Sequence, residues 1–313
     1  MAALALLCAC QKGPAAETDQ RRAEAPRGLS ARFYAPRGWA FGEIAVDGRR
    51  IRYGVVAPAV ASRADVVILP DRPTTVEGWF ETAADLSASA AVNVWVLDGI
   101  EDPQKARAAL ETMTRRVARP HRARKLILLG EGFGATELAG ALIAGQGADG
   151  AVLASPRLEI ARVGDRWSPE QLEAAGAWTA RWHLGMAPLP WPIDRVTGPV
   201  DPLRARAQEA WGGGAKAGWT TLSAIDAFDR AVRQARSNGA LKAARVPVLV
   251  TAGGGAAARA NTLCASLPAC TFRRYGVGGA ASYLQADSVR LQWLADVKAY
   301  IAARTAGEPV AAP

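Results

Sequence analysis

The short segment Gly130-Glu131-Gly132-Phe133-Gly134 has the spacing of a chemical motif from which the reactive residue is missing. It follows the apolar run Lys125–Leu129 and precedes a helical pattern over Ala135–Ile143. In a G-x-S-x-G motif, this strand–turn–helix arrangement holds a serine on a sharp turn, where its hydroxyl acts as a nucleophile. Here the serine position is Gly132, so the sequence predicts the turn without the hydroxyl.

Few other side chains are suited to act as a nucleophile or as a base. Of the two histidines, His121 precedes a strand, at the sheet edge away from the turn, and His183 lies in a tryptophan-rich segment. His183 either faces a cleft or is a surface or packing histidine. Glu131, beside the glycine, is a weak candidate for a base, because glutamate is also an ordinary residue there. Ser155 and Ser282 lack a plausible base, and an unactivated hydroxyl is a poor nucleophile.

The sequence favours neither a metal ion nor an organic cofactor. Its cysteines, histidines and acidic residues show no metal-ligand spacing, and its glycine pairs form neither a phosphate-binding loop nor a dinucleotide-binding motif. The formal net charge of +9 comes mostly from arginines scattered along the chain. Because no basic stripe is interleaved with aromatic residues, nucleic-acid binding is not predicted. The charge fits a weak attraction to anionic membranes or an arginine-rich composition with no partner.

Apolar runs alternate with helical patterns along most of the chain. The strand-like runs are Asp65–Leu69, Val92–Leu97, Lys125–Leu129, Gly150–Ala154 and Val246–Thr251, and the helical patterns are Thr75–Ser89, Pro103–Val117 and Ala135–Ile143. Asp47-Gly48, between two further strand-like runs, predicts a hairpin, and Asp287–Ala303 has the spacing of a closing amphipathic helix. Continuous Val, Ile and Leu runs separated by helices predict an α/β fold, with a mostly parallel central sheet and helices on both faces.

Residues 157–219 interrupt this regular alternation and divide the core into two parts, 31–156 and 220–304. An insertion after a central strand lies over the carboxyl edge of the sheet, where α/β proteins bind ligands. The insertion contains five tryptophans before Trp219: Trp167, Trp178, Trp182, Trp191 and Trp211. Trp178 and Trp182 are one helical turn apart, so they share a face. They either line an apolar ligand cleft or form the small core of the insertion itself.

The N-terminal segment is typical of an exported protein. Residues 1–10 are short, apolar and end in small residues, as in the apolar region of a secretory signal. Leu7-Cys8-Ala9-Cys10 resembles a bacterial lipobox, in which Cys10 is lipidated and becomes the first mature residue. The absence of a positive segment before it also fits a mis-assigned start codon or a cytosolic protein. We expect 11–30 to be a flexible tether and 305–313 a disordered tail.

The two remaining cysteines, Cys264 and Cys270, flank the end of a helical pattern and the start of a strand-like one. They are close enough in sequence for a disulfide in an oxidising compartment, or they are two unpaired buried thiols. Together with the lipobox-like segment, the pair favours a protein of the bacterial cell envelope, lipid-anchored to a membrane and facing the periplasm.

Several segments, in the same order along the chain, resemble segments of the α/β-hydrolase fold. Within this fold they resemble the bacterial lysophospholipase and monoglyceride-lipase (serine aminopeptidase-like) branch with its helical cap. They are Val66–Thr82, Leu129–Gly134, Gly150–Pro156, Gly218-Trp219, Val246–Gly253 and Tyr275–Arg290. In that branch these are the oxyanion strand with its helix, the nucleophile turn, the strand into the cap, the return from the cap, the strand before the acid and the histidine loop. The resemblance implies a serine hydrolase scaffold over residues 38 to 304.

At the positions that carry the chemistry in that branch, this sequence differs throughout. The nucleophile, acid and histidine positions are occupied by Gly132, Gly255 and Ala280. The oxyanion turn is Pro70-Asp71, where proline has no N–H to donate and a carboxylate opposes a developing negative oxygen. The residues expected to line the binding cleft are Pro70, Asp71, Glu131, Phe133, Trp178 and Trp182.

The leading hypothesis is therefore an exported, lipid-anchored pseudoenzyme that binds a lipid-like small molecule or a partner protein. One alternative is an active ester or lipid hydrolase with a non-standard site, in which Glu131 or His183 activates water. The other is a structural envelope protein whose tryptophans mediate contacts with other proteins. Which ligand or partner binds does not follow from the sequence.

Overall fold

A computed structural model describes residues 26–71, 74–100, 103–118, 124–158, 188–190, 200–211, 219–221, 242, 244–276 and 281–306 of the 313-residue chain. Within these ranges the strands are β1 (Ala40–Val46), β2 (Arg49–Val56), β3 (Ala64–Leu69), β4 (Val92–Leu97), β5 (Lys125–Glu131), β6 (Gly150–Ala154), β7 (Pro188–Pro190), β8 (Trp219–Thr221), β9 (Val248–Gly253) and β10 (Cys270–Tyr275). The α-helices are α1 (Phe80–Ala90), α2 (Pro103–Ala118), α3 (Phe133–Ile143), α4 (Pro202–Ala210), α5 (Ala257–Ala265) and α6 (Asp287–Thr305).

Eight of the described strands form one sheet in the order β1-β2-β4-β3-β5-β6-β9-β10. Strand β2 runs antiparallel to both of its neighbours, whereas the pairs from β4 to β10 are all parallel. Because parallel strands align their carboxyl ends, the residues that follow β3, β5 and β6 meet at one edge of the sheet. This edge contains the Gly132 turn.

Helices cover both faces of this sheet, as the continuous apolar strand runs predict. Alternate residues of β3 point to opposite faces: Val67 and Leu69 pack with residues of α2, α3 and α5, whereas Val66 and Ile68 pack with residues of α1 and α6. The expected α/β architecture with a mostly parallel sheet is therefore confirmed.

The predicted hairpin and closing helix are both present. Asp47 and Gly48 connect β1 to β2 with φ angles of 46° and 75°, the positive values that a two-residue hairpin turn needs. Helix α6 runs from Asp287 to Thr305 and buries Trp293 and Val297 against the sheet.

Two predicted boundaries differ from the structure. The strand predicted at Val246–Thr251 is β9, Val248–Gly253; it begins after Pro247, which lacks an N–H for the sheet ladder. The helix predicted at Thr75–Ser89 begins as a 3₁₀ turn, Val76–Trp79, and continues as α1.

Around the Gly132 turn the elements are longer than predicted. Strand β5 continues past Leu129 to Glu131, and α3 begins at Phe133 rather than at Ala135. One residue, Gly132, therefore makes the whole connection between strand and helix.

Only parts of the predicted insertion at 157–219 belong to the described residues. Strands β7 and β8 pair antiparallel, which joins 188–190 to 219–221. Helix α4, which the sequence analysis did not predict, begins after Asp201, whose carboxylate accepts from the N–H groups of Leu203 and Arg204. Whether the insertion forms a helical cap stays a prediction, since Trp178, Trp182 and His183 lie outside the described residues.

The nearly buried guanidinium of Arg204 bonds helix α4 to the core. Its Nε donates to Glu81 of α1 at 2.7 Å, and its Nη1 donates to the carbonyl of Gln285 at 2.7 Å. Trp211, which follows α4, donates its indole N–H to the carbonyl of Phe33 at 3.0 Å. The part of the insertion that returns to the core is thus bonded directly to it.

Cys264 and Cys270 form a disulfide that joins the end of α5 to the start of β10, with their Cα atoms 5.5 Å apart. The lipobox-like segment with Cys10, most of the predicted tether and nearly all of the predicted tail lie outside the described residues. Among the residues that are described, no helix combines the length and apolar character that a membrane span requires.

Candidate functional site at the turn between β5 and α3

Gly132 adopts a backbone conformation that side-chain-bearing residues rarely adopt. Its φ is 58° and its ψ is −116°. A residue with a β-carbon in such a conformation carries strain on the order of 1–3 kcal/mol, which proteins accept mainly at functional sites. The sharp turn predicted from the glycine spacing is therefore present.

The side chain of Asp71 fills the space that a side chain on Gly132 would need. A β-carbon added to Gly132 would overlap the carboxyl carbon and both carboxylate oxygens of Asp71, the farthest of them only 2.7 Å away. Asp71 follows β3, which is the immediate neighbour of β5 in the sheet. A carboxylate therefore occupies the space that a side chain on Gly132 would take.

The same carboxylate accepts a hydrogen bond from the N–H group that would stabilise an oxyanion. In a G-x-S-x-G turn, one oxyanion donor is the backbone N–H of the residue after the nucleophile, which here is Phe133. That N–H donates to Oδ1 of Asp71 at 2.9 Å. The sequence predicts that Asp71 opposes a negative oxygen at this turn, and the structure places its carboxylate on the donor N–H itself.

Arg157 holds Asp71 in this position. Its Nη2 and Nε lie 2.9 Å and 3.2 Å from Oδ2 of Asp71, and its guanidinium carbon lies 4.8 Å from the centre of the Phe133 ring. The side chains of Arg157 and Asp71 are 9% and 7% exposed. Removing one partner of a pair this buried strongly destabilises the folded protein, because the remaining charge loses its counter-charge.

The sequence analysis did not single out Arg157. A usable signal was present, since Arg157 follows Ser155-Pro156 directly after β6, and β6 lies beside β5. A cation at that edge is well placed to neutralise Asp71.

Backbone hydrogen bonds fix the segments that carry this pair. The N–H of Gly132 donates to the carbonyl of Ala154 at 2.9 Å, and the N–H of Arg157 donates back to the carbonyl of Gly132 at 3.2 Å. The N–H of Thr74 closes a turn onto the carbonyl of Asp71 at 3.0 Å. The ion pair is therefore held by ordered backbone on both sides.

Glu131 is enclosed and is not placed to act as a base. It is 0% exposed, and its Oε1 accepts from the N–H of Ala281 at 2.7 Å. Burial raises the pKa of Glu131 well above its usual range, and the charge of Asp71 raises it further. Arg157 and the Ala281 and Ser282 amides lower this pKa by less. Because its carboxyl group is enclosed and Oε1 is already bonded to the Ala281 amide, Glu131 is not placed to take a proton from a ligand.

The acid and histidine positions predicted from the resemblance, Gly255 and Ala280, differ in setting. Gly255 lies in a 3₁₀ turn, Gly254–Ala256, directly after β9; it is exposed, and no described atom lies within 4 Å of where its β-carbon would be. Ala280 lies outside the described residues, as do His121 and His183. Ala281, the next residue, has a φ of 61° and donates its N–H to Glu131.

Two buried hydroxyl groups lie at the same edge. Ser155 Oγ and Ser282 Oγ are 3.4 Å apart, and the residues are 3% and 5% exposed. No described residue is a histidine, so the described part of the chain gives neither serine a histidine base. Tyr283 donates or accepts at Thr74 Oγ1, 3.0 Å away, and burial raises its pKa well above the ordinary value, which keeps it protonated.

In the described part of the chain, no three His, Cys, Asp or Glu side chains are grouped so that they could hold a metal ion. Within the described residues, the groups that this site offers to a ligand are the Asp71–Arg157 pair and the N–H of Phe133.

Comparison with known proteins establishes the fold and nothing finer. No family model matches the chain, and no curated protein matches its sequence. Among solved structures, the chain is similar to a soluble variant of the monoglyceride lipase of Saccharomyces cerevisiae in complex with a substrate analogue, with a TM-score of 0.69 at 14% identity over 90% of this chain and 99% of that one.

Two further solved structures have similar values. The thermostable carboxyl esterase of Bacillus coagulans in complex with glycerol gives a TM-score of 0.68 at 12% identity over 85% of this chain and 99% of that one. The monoacylglycerol lipase of Paleococcus ferrophilus gives 0.63 at 12% identity over 81% and 99%. At such identities the similarity shows that this chain has the α/β-hydrolase fold.

Proposed function

We propose that this chain, which has the α/β-hydrolase fold, is an exported and lipid-anchored protein that has lost the hydrolytic reaction and acts by binding. Its ligand is a lipid-like small molecule or a partner protein at the carboxyl edge of the sheet. One observation carries the proposal: the carboxylate of Asp71 fills the nucleophile position at Gly132 and accepts the N–H of Phe133.

Ester hydrolysis on this fold needs a nucleophile and donors for the negative oxygen that forms during attack. The nucleophile position has no side chain, and one donor is already bonded to a negative group. Loss of one oxyanion donor reduces kcat by roughly 10²–10³-fold in a serine hydrolase. Loss of the triad leaves about 10³–10⁴-fold catalysis over water when the oxyanion donors are intact, and here one of them is occupied.

The location of the site supports binding as its remaining role. In α/β folds, ligands bind outside the carboxyl ends of the strands, where Asp71, Phe133 and Arg157 lie. The similar structures include a monoglyceride lipase with a substrate analogue and an esterase with glycerol. We infer from these similarities a ligand with an acyl chain.

Two features support export. The lipobox-like segment ends at Cys10, whose lipidation would fix the chain to a membrane. The Cys264–Cys270 disulfide fits an oxidising compartment such as the periplasm. Labelling cells with a clickable fatty acid tests the anchor: we expect label on the wild-type chain and none on Cys10→Ser. Equal labelling of both chains, or label on neither, would contradict it.

A fluorophosphonate probe tests the loss of the reaction, because it reacts only with an activated serine. We expect the purified wild-type protein to remain unlabelled under conditions that fully label a triad-containing esterase. Label mapped by mass spectrometry to Ser155 or Ser282 would identify a displaced nucleophile and overturn the proposal.

A further inference from the structure

We propose that the pocket between Gly132, Phe133 and Arg157 is a carboxylate-binding site whose present occupant is the side chain of Asp71. The proposal rests on the proposed binding function and names the ligand class: an unesterified carboxylate rather than an ester. The occupied pocket is thus a closed state of the binding site.

The donors around Asp71 are arranged as a receptor for a planar anion with two oxygens. The N–H of Phe133 donates to one oxygen, and the guanidinium of Arg157 places two N–H groups at the other. Phe133 is the first residue of α3, so the positive end of an 11-residue helix faces the anion. Guanidinium groups match carboxylates in charge and geometry, and their charge-assisted hydrogen bonds are stronger than neutral ones.

A buried polar atom beside the pair points to a ligand independently. Oε2 of Glu131 is inaccessible to solvent and makes no hydrogen bond in the structure. Burial raises the pKa of Glu131, and a proton held on this carboxyl group belongs on Oε2, because Oε1 accepts from Ala281. The charges of Asp71 and Arg157 both act on Glu131, the residue before Gly132. An anion that reaches deeper than Asp71 gains the protonated Oε2 as a further donor.

Exchange of Asp71 for a ligand requires only local motion. The ion pair is 7–9% exposed, whereas Glu131 behind it is fully buried, so the pair forms the accessible end of the cluster. The backbone of Asp71 is held by Thr74, and rotation about its side-chain bonds moves the carboxylate without opening that turn. Gly132 has no side chain to block the vacated space.

Competition from the side chain of Asp71 lowers the apparent affinity of a ligand. The apparent affinity of a ligand equals its intrinsic affinity multiplied by the fraction of molecules whose site is open. If Asp71 occupies the site in nine molecules of ten, its removal tightens binding about tenfold. Esters do not gain from this site, because they lack the negative charge that pairs with Arg157.

Isothermal titration with three probes tests the proposal: acetate, decanoate and methyl decanoate, each added to wild type, Asp71→Ala and Asp71→Ala/Arg157→Gln. We expect decanoate to bind wild type, to bind Asp71→Ala at least about tenfold more tightly, and to lose that gain in the double variant. Tight binding of acetate as well would identify any small carboxylate as the ligand; binding of decanoate alone would identify a fatty acid.

Binding of methyl decanoate as tight as that of decanoate would overturn the proposal, and so would equal affinity of decanoate for wild type and Asp71→Ala. If Asp71→Ala does not fold, Asp71→Asn replaces it with the same expectation, since an amide keeps the size but not the charge. These outcomes are separate from the test of the proposed loss of hydrolysis. If the protein is not labelled by the fluorophosphonate and also does not bind carboxylates, the loss of hydrolysis stands and only the carboxylate site is contradicted.

Discussion

The carboxylate of Asp71 lies where a β-carbon on Gly132 would be, within 2.7 Å of that position for all three carboxyl atoms. The two residues follow neighbouring strands, and the N–H of Phe133, the residue after Gly132, donates a hydrogen bond to Oδ1 of Asp71. The glycine at 132 and the aspartate at 71 therefore form one structural arrangement. A side chain at either position excludes a side chain in the usual place at the other.

This relationship predicts strong coupling between the two positions. Gly132→Ala introduces backbone strain and overlap with a carboxylate that Arg157 holds, so we expect the free energy of unfolding to fall by about 2–5 kcal/mol. Asp71→Ala removes the overlap. The double variant should therefore be more stable than the sum of the single changes by at least about 1 kcal/mol in urea titrations.

Gly145→Ala is the matched control for that cycle. Gly145 also has a positive φ, 91°, but no described atom lies within 4 Å of its β-carbon position. We expect it to lose about 1 kcal/mol through backbone strain alone and to show no coupling to Asp71→Ala. Equal losses for Gly132→Ala and Gly145→Ala, with additive doubles, would contradict the overlap.

The Asp71–Arg157 pair predicts a large effect of removing either charge. We expect Arg157→Gln to lower the free energy of unfolding by about 3–5 kcal/mol, since it removes the buried cation that pairs with Asp71. The control is Arg115→Gln, because Arg115 pairs with Glu111 on an exposed helix surface, with both side chains more than half exposed. That exposed pair should contribute no more than about 0.5 kcal/mol. Similar losses in the two variants would show that the pair at the turn is not buried.

The raised pKa of Glu131 predicts a pH dependence of stability. The unfolded chain releases this proton near pH 4.3, whereas the folded protein keeps it to higher pH. Between these two pKa values the folded state binds the extra proton, so the free energy of unfolding falls as the pH rises. Below pH 4 Glu131 is protonated in both the folded and the unfolded state, so this loss of stability vanishes.

Glu131→Gln keeps the shape of the neutral carboxyl group and cannot ionise. We expect the stability of the wild type relative to this variant to decrease from pH 5 upward, with a slope of at most about 1.4 kcal/mol per pH unit. Chemical denaturation at several pH values measures the difference directly. Parallel pH profiles would mean that Glu131 ionises normally in the folded protein.

The Cys264–Cys270 disulfide predicts a modest contribution to stability. It closes a short loop with a sequence separation of 6, for which the chain-entropy model gives about 2 kcal/mol. The Cys264→Ala/Cys270→Ala double variant should lose about this amount and become insensitive to dithiothreitol. Mass spectrometry of mature protein under non-reducing conditions should show the loss of two hydrogens; two intact thiols would contradict export to an oxidising compartment.

Much of the fold was predictable because it depends on local patterns. Continuous apolar runs specify buried parallel strands, and the limits of β4 and β6 match the predicted Val92–Leu97 and Gly150–Ala154. The glycine spacing specified the turn at Gly132, since its outer glycines lie where the chains are too close for side chains. Helix α4 was missed because Pro202–Ala210 lies within a segment interpreted as one insertion.

The contents of the site were less predictable, because they depend on side-chain placement between distant segments. The sequence predicted Asp71 at the oxyanion turn, but it did not predict that the carboxylate would fill the space beside Gly132. Its partner, Arg157, lies 86 residues away in sequence, and no periodic pattern connects the two. The proposed roles of Trp178 and Trp182 in a cleft stay predictions, since these residues are outside the described ranges.

Steady-state hydrolysis of a p-nitrophenyl ester series and of lysophospholipid by purified wild-type protein tests the proposed loss of hydrolysis most directly. The proposal predicts a rate equal to that of buffer, whereas a triad-containing esterase assayed in parallel turns over. Saturable turnover that is abolished by Asp71→Ala, Glu131→Ala or His183→Ala would contradict it, because a side chain of this chain would then carry the reaction.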